Sequence, residues 1–154
     1  MIRLSELIPP GFWPSHRAVR QGALELLESG GRGSGKSSYL SLELLLQLLR
    51  HPDCHAAVLR KVANTLRTSV FTQLLWAARM LGLQHHFRFT LNPLEATYLP
   101  TGQKILFLGM DDPGKLKSLK MPFGYIGILW LEELDQFSPE DVPFPPCAML
   151  CVDL

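Results

Sequence analysis

Residues 30–38, Gly-Gly-Arg-Gly-Ser-Gly-Lys-Ser-Ser, decide how the rest of this chain is read. They fit the pattern GxxxxGK[ST], from Gly30 through Gly35 and Lys36 to Ser37. Glycines let the backbone take positive φ and bring successive N–H groups close to phosphate oxygens, which assigns Gly30, Gly31, Gly33 and Gly35, with Ser34 and Ser38, to a phosphate cradle. Lys36 is spaced to reach the β- and γ-phosphates of a nucleotide, and Ser37 to ligate Mg²⁺. A helix that starts here aims its positive end at the same phosphates. Arg32, inside the loop, has two open readings: a contact to the γ-phosphate that stabilises transition-state charge, or a solvated surface arginine.

The flanks agree with the motif. Residues 23–29 (ALELLES) read as a short buried strand, and residues 39–49 as a helix apolar nearly all round, stopped by Pro52. Residues 56–60 (AAVLR) are a second strand candidate. Asn64 is a plausible N-cap for a helix carrying Leu66, Val70, Leu74, Ala78 and Leu81, closed by Gly82. On it Phe71, Trp76 and Met80 read as core. Residues 87–108 break into short β-like pieces (FRFTL, EATYL, KILFLG) separated by Asn92-Pro93 and Thr101-Gly102, a meander or hairpin insert. A loop bearing Lys115, Lys117 and Lys120 follows, either a solvated loop or a contact to a DNA backbone. Residues 1–22, with Pro9, Pro10, Pro14 and Gly22, read as an irregular lead-in.

Residues 125–131 (YIGILWL) form a continuous apolar run ending in Glu132-Glu133. An acid at the end of a buried strand can hold Mg²⁺, and a second beside it can orient or deprotonate water. Glu132 is therefore the metal-shell candidate and Glu133 the catalytic carboxylate. Arg60 and Lys61 face phosphate or DNA, or are a solvated strand end. Residues 138–141 (SPED) start like a helix, yet residues 142–146 (VPFPP) cannot continue one. The domain is accordingly drawn over residues 1–141, with residues 142–154 as a divergent proline-rich tail.

The chain has 154 residues, 47% hydrophobic and 19% charged, with thirty leucines and a net charge of +1, enough for one packed domain. That charge supports no global argument for nucleic acid or membrane binding. Uncharged stretches such as residues 121–131 run to 11 residues, short of the roughly 18 of a membrane span. Cys54, Cys147 and Cys151 form no CxxC pair and suit a reducing cytoplasm, and His51 and His55 beside Cys54 lack zinc-finger spacing.

Four blocks together carry a family resemblance: GGRGSGKSS (30–38), VLRKVANTLRTSVFTQ (58–73), TGQKILFLGMDDPGKLKSLK (101–120) and ILWLEELDQF (128–137). In this order they resemble the N-terminal ATPase domain of the large terminase subunit of tailed phages, PBSX-type branch. The resemblance implies an α/β fold: a P-loop NTPase of RecA-like or ASCE type, with a parallel sheet flanked by helices and a β-hairpin or meander insert, incomplete at the C-terminus. It implies ATP and Mg²⁺ as cofactors, with Gly30 to Ser38 as the loop, Ser37 and Glu132 on the metal, and Arg32 and Glu133 as catalytic groups. Residues 12–21 fall where the family contacts adenine. ATP hydrolysis coupled to DNA translocation is the implied activity. The implied partners are double-stranded phage DNA, the portal protein, the small terminase subunit and other terminase copies, in the bacterial cytoplasm and without a membrane. The resemblance ends near residue 141, before the coupling strand and the nuclease domain. The expectation is a truncated, prophage-encoded form without DNA cleavage. Two other functions stay open: a non-catalytic nucleotide-binding remnant or interaction module, and a small-metabolite kinase.

Overall fold

The computed structural model describes the backbone of residues 1–29, 33–111, 118–138 and 148–152, and the side chains of all of these except residue 134 and residues 148–152. Seven strands form one sheet in the order β1-β7-β6-β2-β5-β4-β3. They are β1 (Glu25–Glu28), β2 (Cys54–Arg60), β3 (Phe87–Leu91), β4 (Leu94–Tyr98), β5 (Gln103–Gly109), β6 (Tyr125–Glu132) and β7 (Ala148–Val152). The five strands from β1 to β5 along that order run parallel. β4 and β3 add an antiparallel meander, as the insert between residues 87 and 108 predicts. The central strands are buried on both faces, so β2 and β6 read as continuous apolar runs and do not alternate.

Four α-helices, α1 (Leu4–Leu7), α2 (Trp13–Arg20), α3 (Lys36–Arg50) and α4 (Val70–Met80), and three 3-10 turns complete the described elements. α3 has ten buried residues, including Tyr39, Leu40, Leu44 and Leu48. It packs beside α4 on one sheet face, where Val58, Ile105, Phe107, Ile128 and Trp130 meet it. Ala57, Leu59, Leu129 and Leu131 point to the opposite face with Met110. Strand periodicity alone assigns these two sets.

Three expectations change. The lead-in is not irregular: Pro10 opens a 3-10 turn, Pro10–Phe12, and Pro14 lies in the first turn of α2. Proline there has no intrahelical N–H to lose, so it starts a helix instead of breaking one. The helix expected from Asn64 begins later. Residues 63–65 form a 3-10 turn, and Ser69 is the N-cap of α4. Trp76 and Met80 are 36% and 37% exposed, because they share a stripe one turn apart on the side away from Phe71, Leu74, Ala77 and Ala78.

The strand at residues 148–152 was not anticipated. Read with the prolines before it, AMLCV looks like tail. Its backbone instead pairs in parallel with β1 on one side and β6 on the other, Val152 facing both Glu28 and Glu132 in register. No proline follows Pro146, so nothing bars these residues from donating to a ladder. The proline-rich residues 142–146 lie outside the described residues.

Candidate nucleotide-phosphate site

The described part of the loop begins at Gly33; Gly30, Gly31 and Arg32 lie outside it, so both readings of Arg32 stand. Gly33 and Gly35 adopt φ of +80° and +83°, the left-handed region that glycine enters without a Cβ penalty. Gly35 is the N-cap of α3, and its carbonyl accepts from the Tyr39 amide at 2.9 Å. Ser34 is exposed at the turn, while Lys36 is buried as the first residue of α3. The loop thus enters a helix whose positive end faces it.

The lead-in packs directly against this loop. The Phe12 ring stacks on Tyr39 at 4.8 Å and 9°, and lies where a Cβ on Gly35 would come within 3.6 Å of it. Behind it, His16 Nδ1 lies 2.7 Å from Glu43 Oε2, which also accepts from the Tyr39 hydroxyl at 3.1 Å. Gln47 donates to the other oxygen of Glu43 at 3.0 Å. Residues 12–20 are therefore clamped to α3 by a buried polar cluster that sequence periodicity does not reveal, since His16 and Glu43 are 27 positions apart. Burial and the Glu43 carboxylate push the Tyr39 phenol well above its ordinary range.

Glu132 ends β6 and is only 9% exposed. Its Oε2 has no hydrogen-bond partner. Burial raises its carboxyl above the usual carboxylate range; the Arg60 charge, the nearby Trp130 indole N–H and the Lys36 charge pull it back, and neighbouring Glu133 adds to the rise. Ser37 and Glu132 line one cavity of about 210 Å³ with Thr68, Ser69, Val70, Thr72 and Gln73. The loop serine and the strand-end acid, 95 positions apart, are thus brought to one space.

Glu133 is placed differently. It has φ of 57°, an unusual backbone for a residue with a Cβ, which turns it off the strand. Both its oxygens are held by Arg60: Nε donates to Oε2 at 3.2 Å, and Nη2 to Oε1. Arg60, the last residue of β2, is not a solvated strand end; it is an ion-pair partner of the second acid. The only sequence signal for it was a basic residue at the end of a strand that pairs with β6. Lys120 is exposed, and Lys115 and Lys117 lie outside the described residues.

The profile of the phage terminase large subunit family matches residues 25–144. The large terminase subunit of Bacillus phage SPP1 is 38% identical over 141 residues, 91% of this chain and 33% of the relative. The PBSX phage terminase large subunit of Bacillus subtilis (strain 168) is 35% identical over 111 residues, 72% of this chain and 24% of the relative. The chain thus spans a third or less of these relatives. Among solved structures, the HK97 bacteriophage large terminase superposes with a TM-score of 0.62 at 16% identity, over 95% of this chain and 33% of that one. The N-terminal domain of the DNA packaging ATPase from bacteriophage phi29 gives 0.60 at 13% identity, over 91% and 77%. These two speak for the fold, while the profile and the two Bacillus sequences carry the descent: the chain belongs to the phage terminase large subunit family and has the fold of its ATPase domain.

Proposed function

We propose that this chain is the ATP-handling part of a viral DNA-packaging motor. The observation that carries the reading is Glu132: a buried carboxylate with an unpartnered oxygen, across a small cavity from Ser37 of the phosphate loop. A charge so placed calls for a cation. The donor set, one hydroxyl and one carboxylate, suits Mg²⁺ with phosphate oxygens. Bound there, the metal would neutralise charge on the phosphates of ATP. Lys36 and the amides of the loop and of the start of α3 bind and orient those phosphates, and Arg32, within the loop by sequence, is proposed to contact the γ-phosphate. Phe12 closes the loop side of the site.

Glu133 is the residue proposed to hold the proton of the attacking water. Arg60 holds both of its oxygens in place, and each keeps a lone pair for water. The same contact favours a second reading, nucleotide binding without turnover by this chain. Double-stranded DNA, portal protein, small terminase subunit and further copies of the chain are the proposed partners, in the bacterial cytoplasm. No helix among the described residues is long and apolar enough to cross a membrane.

The test is a thermal melt with and without Mg·ATP, on the wild type and Lys36→Ala. Ligand at about 100 times Kd adds roughly 2.7 kcal/mol, several degrees for a chain of this length. The expected result is a shift in the wild type that Lys36→Ala abolishes; no shift in the wild type overturns the reading. Hydrolysis lost in Glu133→Gln separates the catalytic form from the binding-only one.

A further inference from the structure

The first turn of α4 has no role in the phosphate site as built so far, yet it forms most of that site's far wall. Thr68, Ser69, Val70, Thr72 and Gln73 line the same cavity as Ser37 and Glu132. Two side-chain contacts fix the turn from either side. Gln73 Nε2 donates to Ser38 Oγ at 3.1 Å, tying α4 to the start of α3. Arg60 Nη1 donates to Ser69 Oγ at 3.5 Å, and the same guanidinium grips Glu133.

The polar groups of this turn are arranged for an acceptor. Ser69 and Thr72 hydroxyls donate backwards, to the Thr65 and Ser69 carbonyls, each at 2.8 Å. The amides of Phe71 and Gln73 are used by Leu66 and Ser69 carbonyls. Those of Val70 and Thr72 have no backbone acceptor among the described residues. A helix start leaves such donors with a positive end. Alone that would mean little, but the opposite wall carries the nine-tenths-buried Glu132 with its free oxygen. One wall calls for a cation and the other for an anion, which a metal-bound phosphate satisfies together.

We propose that residues 68–73 read the third phosphate of the nucleotide, with the Val70 and Thr72 amides as its donors and Gln73 as the positioning residue that holds the turn against α3. The inference rests on the phosphate site proposed above. Ser37 and Glu132 would hold the metal on the phosphate chain, so a wall beside them would meet the end of that chain and not the nucleoside. Through Ser69 the same turn touches the Arg60–Glu133 pair, so the terminal phosphate and the second acid are sensed by one element.

The experiment is calorimetric titration of the whole chain with Mg·ADP and with the Mg complex of a non-hydrolysable β,γ-imido triphosphate, for the wild type, Gln73→Leu and Gln73→Glu. Loss of one hydrogen-bonded tether predicts a triphosphate affinity about tenfold weaker in Gln73→Leu, with ADP changed less than about twofold. Gln73→Glu sets a carboxylate beside the terminal phosphate and lowers triphosphate affinity further still, a response that a purely structural side chain would not give. Ligand-free melts within about 2 °C of the wild type establish that each variant folds; if the leucine variant does not, the glutamate variant carries the test. Equal weakening of both nucleotides, or no change in either, overturns the proposal and leaves the phosphate site standing. A wild type that binds neither nucleotide overturns both.

Discussion

Glu132 closes a buried strand with one oxygen unpartnered, while Glu133, the next residue, leaves the strand with φ of 57° and is gripped by Arg60. The two carboxylates differ because alternate strand residues point to opposite faces and the backbone then turns. Burial raises the Glu132 carboxyl, and a group raised in the folded state contributes stability below its unfolded pKa that is lost as pH rises through the folded one. Wherever it is ionised, Glu132 therefore costs stability, and Glu132→Gln is expected to raise the ligand-free Tm there by a few degrees, ~1 kcal/mol being worth about 3 °C at this length. The same substitution removes the Mg²⁺-dependent nucleotide shift. Melts of both proteins from pH 5 to 8 check this: the gap should widen with pH, and a variant less stable than wild type at every pH refutes it.

At the scale of elements, two buried polar side chains join strands to their surroundings. Gln103, at the start of β5, donates its amide to the carbonyls of Leu48 and His51 at 2.8 Å and of Cys54 at 2.6 Å, closing the end of α3 onto β2. Gln103→Leu removes the side-chain donor these carbonyls share, leaving the His51 carbonyl only the Cys54 amide, and is expected to cost about 2–3 kcal/mol, a drop in Tm visible by circular dichroism. An unchanged Tm would show that water replaces the amide. His55, in β2 where the register with β6 shifts, lies 2.7 Å from the Phe123 carbonyl through Nε2 and accepts from the Lys104 amide through Nδ1 at 2.9 Å. Burial lowers its pKa, and the Lys104 charge lowers it too, against the Phe123 contact. A histidine lowered in the folded state keeps full stability above its unfolded value of about 6.5 and loses it as pH falls below. The Tm of the wild type should fall more steeply from pH 7 to 5.5 than that of His55→Gln; parallel curves would exclude His55 as the cause.

For the whole molecule, the decisive fact is that β1, which leads into the glycine-rich loop, pairs with no described strand except β7. The loop is attached to the sheet through residues near the end of the chain. A chain stopped at residue 147 leaves β1 without a ladder and bares the edge of β6. It is expected to lose nucleotide-dependent stabilisation and to melt at lower temperature, without a sharp transition. A cooperative melt with the wild-type Mg·ATP shift would show that β7 is dispensable.

The glycine turn at Gly33 and Gly35, the helix after it, the strand ending in two acids and the antiparallel insert are all legible from the chain, because each is written in contiguous residues whose glycine spacing or apolar run has one local solution. The positions of Lys36 at the head of α3 and of Glu132 at the end of β6 are legible for the same reason. What needed the tertiary structure is every role that depends on a distant partner. Arg60 finds Glu133 across 73 positions, His16 finds Glu43, and Trp76 and Met80 turn outward because their neighbours on α4 meet the sheet first. The strand at residues 148–152 is the clearest case. Five apolar residues after a run of prolines have no local preference strong enough to reveal them, and only the open ladders of β1 and β6, formed by residues far upstream, make a strand of them.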